Sequence, residues 1–389
     1  MGRALEVPVK PDVLRWARET IGKKPEDVAT RLQIEMSTVL AWEEGEGHPT
    51  LSQLRELAKY LKRPLAAFFL PFAPLEPALP GAFRRLPADQ REPLSKATLL
   101  AIRRARRTQE LVRELAAPES GSKGRLPVGR ALLSDDARQV ADNERHRLGI
   151  TPDQQFGWAN NGEAYLSWKR TLEEKGLIIL ELSMPVREAR AFSLMDEVAP
   201  LIVVNGLDSS AGRIFSLFHE YGHLLLGRSG MADFTEEDRL TNEGKETERF
   251  CNHFAGALLV PETALLQSSV VKSHPVDAEW EDTEVEALAA IFNVSEYVIT
   301  RRLLMKRLIS LESYGQRAAR YEGQLPPRKY GRRVPAKTCV RQNGVPFVSI
   351  VFKAHANDRI TYRDVADYLY VKPKHLQRVA EVLSSNAVP

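Results

Sequence analysis

The sequence predicts a mostly helical α+β protein of several domains, and three observations lead there. The chain has 389 residues, enough for two or three domains at about 150 residues each. Apolar residues recur at three- and four-residue spacing through most of its length, as in helices packed on a core. Two short runs, 177–182 (LIILEL) and 201–205 (LIVVN), are instead dominated by β-branched and aliphatic residues, the pattern of short strands. Hydrophobic residues make up 43% and charged residues 27%, which argues against a disordered chain.

The elements follow in order. In residues 8–70, Leu14, Ala17 and Ile21 share one helical face, and Val28, Ala29 and Leu32 form a second set. Ser37 and Thr38, good helix-start residues, precede Val39, Leu40 and Trp42. Leu51, Leu54, Leu57, Ala58 and Leu61 repeat at helical spacing until Pro64 stops them. This gives a helical domain over 1–72, with Trp42 in its core. Six prolines between 70 and 93 read as a linker or extended strap. A basic helix over 94–116 and a Pro/Gly/Ser break over 118–127 complete a segment 73–130. The block 131–310 combines the two strands with helices near 131–148, 162–175, 212–227, 242–258 and 282–308, the last splitting at Asn293. Residues 311–330 read as a polar connector. A β-rich run at 346–354 (PFVSIVFKA) reads as a strand. With helices near 361–369 and 372–383, it makes 311–389 a small α/β tail.

Composition excludes some classes. No stretch approaches the ~18–20 apolar residues of a membrane span, and the N-terminus shows neither a signal peptide nor a myristoylation pattern. Cys251 and Cys339 are too few for a disulfide framework. A cytoplasmic protein with no membrane partner is expected. The net charge of +4 is segregated: 0 over 1–80, +7 over 81–130, −11 over 131–310 and +8 over 311–389. The basic segments are expected either to fold over the acidic block or to meet nucleic acid.

The sharpest motif is FSLFHEYGHLLLG at 215–227. His219 and His223 are four residues apart, so one helical turn puts both imidazoles on one face. That suits two ligands of a single Zn²⁺. Glu220, beside the first, stands where a general base acts on metal-bound water. A third ligand is needed, and the next helix offers Glu246 and Glu248. Phase favours Glu248. It lies one turn before Asn252, which is placed to hydrogen-bond a ligating histidine. Glu246 points away, as a solvated residue would. Tyr221 is expected to face away from the histidines. His253 and His274 are weaker candidates for stabilising a transition state, and Cys251 for a redox-sensitive contact near the metal.

HEYGH, followed by the sequence ERFCNHFAGALLVP at 248–261, resembles the ImmA/IrrE family of zinc metallo-endopeptidases. The resemblance covers about 130–310 and implies a zincin-like domain with a small sheet. It implies zinc on His219, His223 and Glu248 and Glu220 as general base. Cys251 stands where that family commonly has alanine, and Val260 where it commonly has methionine. Residues 32–71 resemble an XRE-type helix-turn-helix, and the fusion implies a bacterial regulator. The protein substrate is then a repressor or partner in stress response or mobile-element control, presenting an extended segment. If 201–205 is a sheet edge, that segment would pair there. Related fusions also stand beside toxin genes, so a non-proteolytic DNA-binding regulator, or an antitoxin that masks a neighbouring toxin, is the alternative. A homodimer is expected because XRE domains often pair.

DNA contact would fall to Ser37 and Thr38 at the start of the recognition stretch. Glu35, Glu43, Glu44 and Glu46 surround them, and no Lys or Arg occurs between Arg31 and Arg55. A helix so placed is poor at meeting phosphates, and a domain used for dimerisation or protein docking is the competing reading.

Overall fold

The computed structural model describes residues 5–75, 94–116, 128–228, 230–232, 242–275, 278–321 and 334–386. The chain divides into two compact units, one from residues 1–79 and 91–103, the other from 80–90 and 104–389. Most of the proline-rich stretch at 70–93, and the break at 118–127, lie outside the described residues.

The first unit holds α1 (Pro11–Glu19), α2 (Pro25–Leu32), α3 (Met36–Glu44), α4 (Leu51–Tyr60), a 3-10 turn (Leu65–Phe69) and the first residues of α5 (Lys96–Leu115). Gln33 adopts a left-handed φ of 56° and ends α2, turning the chain into α3. Gly45 ends α3 with φ 87°, a conformation that favours glycine. Thr50 caps α4 in a reciprocal box with Gln53. The apolar faces read from the sequence converge: Ala17, Ile21, Val28, Val39, Trp42, Leu54, Leu57 and Phe68 are buried together. Trp42 is therefore core. Glu43 is buried as well and accepts from Arg18 Nε and Nη2 at 2.6 and 2.7 Å. One of the four glutamates around α3 is thus a structural ion-pair partner rather than surface charge.

The second unit continues with α6 (Ala137–Leu148), α7 (Pro152–Phe156), α8 (Asn161–Glu174), β1 (Ile178–Leu182), β2 (Ala191–Leu194), β3 (Leu201–Asn205), α9 (Ser210–Leu225), β4 (Met231–Ala232) and α10 (Asn242–Leu259). Short α11 (Glu262–Gln267) and α12 (Ser269–Ser273) lead to α13 (Asp282–Phe292), α14 (Glu296–Met305) and α15 (Leu311–Tyr321). The last four helices are α16 (Pro335–Asn343), α17 (Val345–Ala356), α18 (Tyr362–Tyr368) and α19 (Leu376–Asn386). The sheet order is β1-β3-β2-β4; β1 and β3 run parallel, while β2 is antiparallel to both its neighbours. Every residue of β1, β2 and β3 is buried. Trp168, Phe218, Phe254, Leu258 and Leu288 belong to the core that fixes α8, α9, α10 and α13 around the sheet. The expected split at Asn293 is real. Its φ of 51° ends α13, and its amide donates to the carbonyls of Gln155 and Trp158.

Three expectations are corrected. The 201–205 strand is interior, because β2 lies against its other side, so it offers no edge for an extended substrate. Residues 346–354 are helical, within α17, and no strand occurs among the described residues 334–386, so the tail there is all-helical. Phe347, Val348, Val351 and Ala354 are its buried residues; that spacing fits a helix face despite the β-branched composition. Pro346 sits in the first helical turn, where its missing N–H costs nothing. Residues 311–321 of the supposed connector form α15, held by Arg317, which donates to Asp282 and to the Trp280 carbonyl. Residues 322–330 lie outside the described residues.

Several arginines of α5 are occupied within the second unit. Arg104 donates to Asn343 Oδ1 at 3.0 Å and lies over the Tyr370 ring at 4.2 Å. Arg107 lies 5.9 Å from the Tyr368 ring, and Arg113 pairs with Asp196. Arg341 of α16 reaches Glu181 of β1 at 3.3 Å. Arg113 and Arg341 thus fold onto the acidic block, whereas Arg104 and Arg107 meet residues of the other basic segment, 311–389.

Candidate metal centre

The site is assembled where α10 crosses α9, and a glycine sets how closely they approach. A Cβ on Gly222 would lie 3.2 Å from Cys251 Sγ and 3.3 Å from Cys251 Cα. The bare backbone at Gly222 lets the small Cys251 sit against it. One turn up α10 on the same side, Glu248 meets the two histidines. Ser209 starts α9 by accepting from Gly212 N–H, and Asp208, held by Arg190 at 2.9 Å, fixes the turn before it.

His219 Nε2 lies 3.0 Å from Glu248 Oε2, His223 Nε2 lies 3.4 Å from Glu248 Oε1, and the two Nε2 atoms are 3.2 Å apart. Tetrahedral ligands about 2.0–2.1 Å from Zn²⁺ are separated by roughly 3.3 Å, so the three spacings fit one ion. The proton positions fit too. His219 Nδ1 faces Asn252 Oδ1, an acceptor, at 3.0 Å. Its proton therefore belongs on Nδ1, which leaves the Nε2 lone pair facing His223 Nε2. Such facing nitrogens beside a carboxylate suit a bound cation. Burial opposes ionisation of Glu248, but contact with the two imidazoles outweighs it and holds the carboxyl well below its usual range. The three form a group of potential metal-ligating side chains, all buried.

Glu220 is fully buried. Its Oε2 accepts from Ser193 Oγ of β2 at 2.7 Å, whereas Oε1 is buried with no hydrogen-bond partner. A carboxylate fixed by one oxygen with the other bare is arranged to take a proton. Gly230, just before β4, packs against the site. A Cβ there would overlap the His223 ring and come 2.8 Å from Glu220 Oε2. Its N–H donates to Ser193 Oγ at 2.9 Å, and its carbonyl accepts from Ser193 N–H at 2.9 Å.

The other candidates separate. Glu246 is exposed and lines a different cavity of about 640 Å³ with Arg249 and His253, whose lining includes none of the three ligands. Burial, then nearby Arg301, Arg302 and Arg249, disfavours the charged form of His253. His274 stacks on Trp280 with ring centroids 3.9 Å apart and faces Glu284. Tyr221 is core and donates to Glu144 at 2.7 Å. Cys251 is buried against Gly222. In the first unit, Ser37 is exposed and Thr38 half-buried on α3. Ser193 and Gly230 were not legible beforehand: neither belongs to a motif, and they lie 27 and 10 residues from Glu220 in sequence.

A family model described as IrrE N-terminal-like domain, a peptidase family, matches residues 172–304. A helix-turn-helix model matches residues 14–68. No curated protein and no solved structure matches. The chain therefore joins a helix-turn-helix domain to an IrrE-like peptidase-family domain.

Proposed function

We propose that the protein is a zinc endopeptidase that regulates by cleaving a repressor or another regulatory protein. The observation that carries this reading is the convergence of His219, His223 and Glu248 within 3.0–3.4 Å, beside a carboxylate with one bare oxygen. His219 and His223 would hold Zn²⁺ through Nε2 and Glu248 through its carboxylate, with Asn252 orienting His219. Bound zinc would supply Lewis-acid activation of water and of the peptide carbonyl. Glu220 Oε1 takes the proton from the attacking water and returns it to the departing amine, while Ser193 keeps Oε2 in place. Replacing Glu220 by Gln preserves shape and hydrogen bonding but removes the base. The Glu220→Gln protein is expected to keep zinc and to leave intact any regulator that the wild type cleaves on co-expression. Equal cleavage by both would contradict the assignment.

A second role, contact with nucleic acid, is favoured by one feature of the first unit. Lys23, Arg31 and Lys96 surround the Tyr60 ring at 5.9, 5.9 and 4.7 Å. Burial, then neighbouring Lys62, Lys23, Arg103 and Arg31, lowers the proton affinity of Lys96, as expected in a positive field. Such a cluster suits phosphates, while exposed Ser37 and half-buried Thr38 on α3 would supply hydroxyls to base edges. Duplex binding that weakens steeply with salt, and weakens further in Lys62→Glu, is expected in fluorescence anisotropy. Salt-independent binding would contradict it.

A further inference from the structure

Ser193 does two things with one hydroxyl. It donates to Glu220 Oε2 at 2.7 Å and accepts the Gly230 N–H at 2.9 Å. Its own N–H binds the Gly230 carbonyl, so Gly230 is tied to β2 at both polar atoms. Gly230 in turn is buried against the ring of His223 and the carboxylate of Glu220, in a space no side chain could share. The centre it packs against is closed to solvent: His219 is 3% exposed, Glu220 and His223 0%, and Glu248 8%. Gly230, against the His223 ring and Glu220 Oε2, is one of the groups that cover this buried centre.

We propose that Ser193 is a positioning residue that latches Gly230 over the metal centre and holds Glu220 at the same time, so that releasing this latch admits the substrate. The inference rests on the metallopeptidase reading for its purpose, but not for its geometry. Two hydrogen bonds converge on one oxygen, and no other group in the described residues is shown bridging Glu220 and Gly230. Losing the Ser193 hydroxyl would leave Gly230 tied to β2 through its carbonyl alone and Glu220 Oε2 without this donor.

Ser193→Ala removes one oxygen from a buried strand without adding bulk, and Ser193→Thr restores a hydroxyl. Amide hydrogen exchange in the metal-free full-length protein, read on the peptic peptide containing Gly230, is expected to be at least tenfold faster in Ser193→Ala. It should return toward the wild-type rate in Ser193→Thr, while peptides from α13 stay unchanged. In cobalt-loaded protein, acetohydroxamate is expected to bind five- to tenfold tighter to Ser193→Ala, followed by its visible absorption band, with cobalt content equal to wild type. Unchanged exchange at Gly230 in Ser193→Ala would overturn the latch whatever the metal does. Failure of the wild type to take up cobalt would overturn the metallopeptidase reading instead, and the exchange result would still decide the latch.

Discussion

At the scale of single residues, the proposed centre gives separate tasks to the side chains around its ligands. Asn252 reads the proton on His219 Nδ1 and so fixes which nitrogen faces the metal position. A partner of this kind outside the ligand set is typically worth 10–100-fold in metal affinity. Asn252→Ala is expected to weaken zinc binding by that factor in a competition titration with a chelating dye; unchanged affinity would show that His219 is oriented by packing alone. Remote from the site, burial pushes the Cys339 thiol up to about 11. At pH 8 its thiolate is scarce. Alkylation by iodoacetamide in the folded protein is expected to be about two orders of magnitude slower than for an unperturbed cysteine. Reaction at the free-thiol rate would show that this helix is not packed as described.

At the scale of elements, what brings Glu248 to the histidines is the close crossing of α9 and α10 at Gly222 and Cys251. Gly222→Val forces a branched side chain into a gap that leaves 3.2–3.3 Å to Cys251 and Phe254. Overpacking of this sort typically costs about 1–3 kcal/mol, and here it also pushes α10 off the metal position. Denaturant unfolding should show that loss together with reduced zinc content. Full stability with full metal content would mean that the crossing tolerates adjustment. This scale also shows what the sequence could tell. The two histidines and Glu220 were legible because helical spacing alone places them, and Glu248 because its phase on α10 matches Asn252. Ser193 was hidden because its contacts cross from a four-residue strand to a helix and to a lone glycine, pairings that no local pattern encodes. The run at 346–354 misled because its β-branched composition outweighed a spacing of buried positions that fits a helix. Whether 201–205 is a sheet edge was open in the sequence because short β2, which covers it, carries no strong strand signal of its own.

At the scale of the whole molecule, a net charge of +4 conceals a division of labour. The acidic block carries the candidate metal centre. Part of the flanking positive charge is used against it, through Arg113 on Asp196 and Arg341 on Glu181. Glu181 is buried, and Arg213 approaches it at 3.3 Å as well. Among the described residues no helix is long and apolar enough to cross a membrane. Each unit has its own core, and metal binding stabilises the folded state of the unit that holds it. Chelation is therefore expected to lower the thermal transition of the second unit and leave that of the first in place, as resolved by calorimetry. Equal shifts of both would contradict separate cores.

The central claim is that three side chains hold one ion while Glu220 holds none. It is tested most directly by metal content per chain, measured by elemental mass spectrometry after equilibration with zinc, on wild type, Glu220→Gln and Glu248→Ala. One zinc in wild type and in Glu220→Gln, with near-complete loss in Glu248→Ala, is the expected result. A full equivalent of zinc in Glu248→Ala, or its loss in Glu220→Gln, would contradict it.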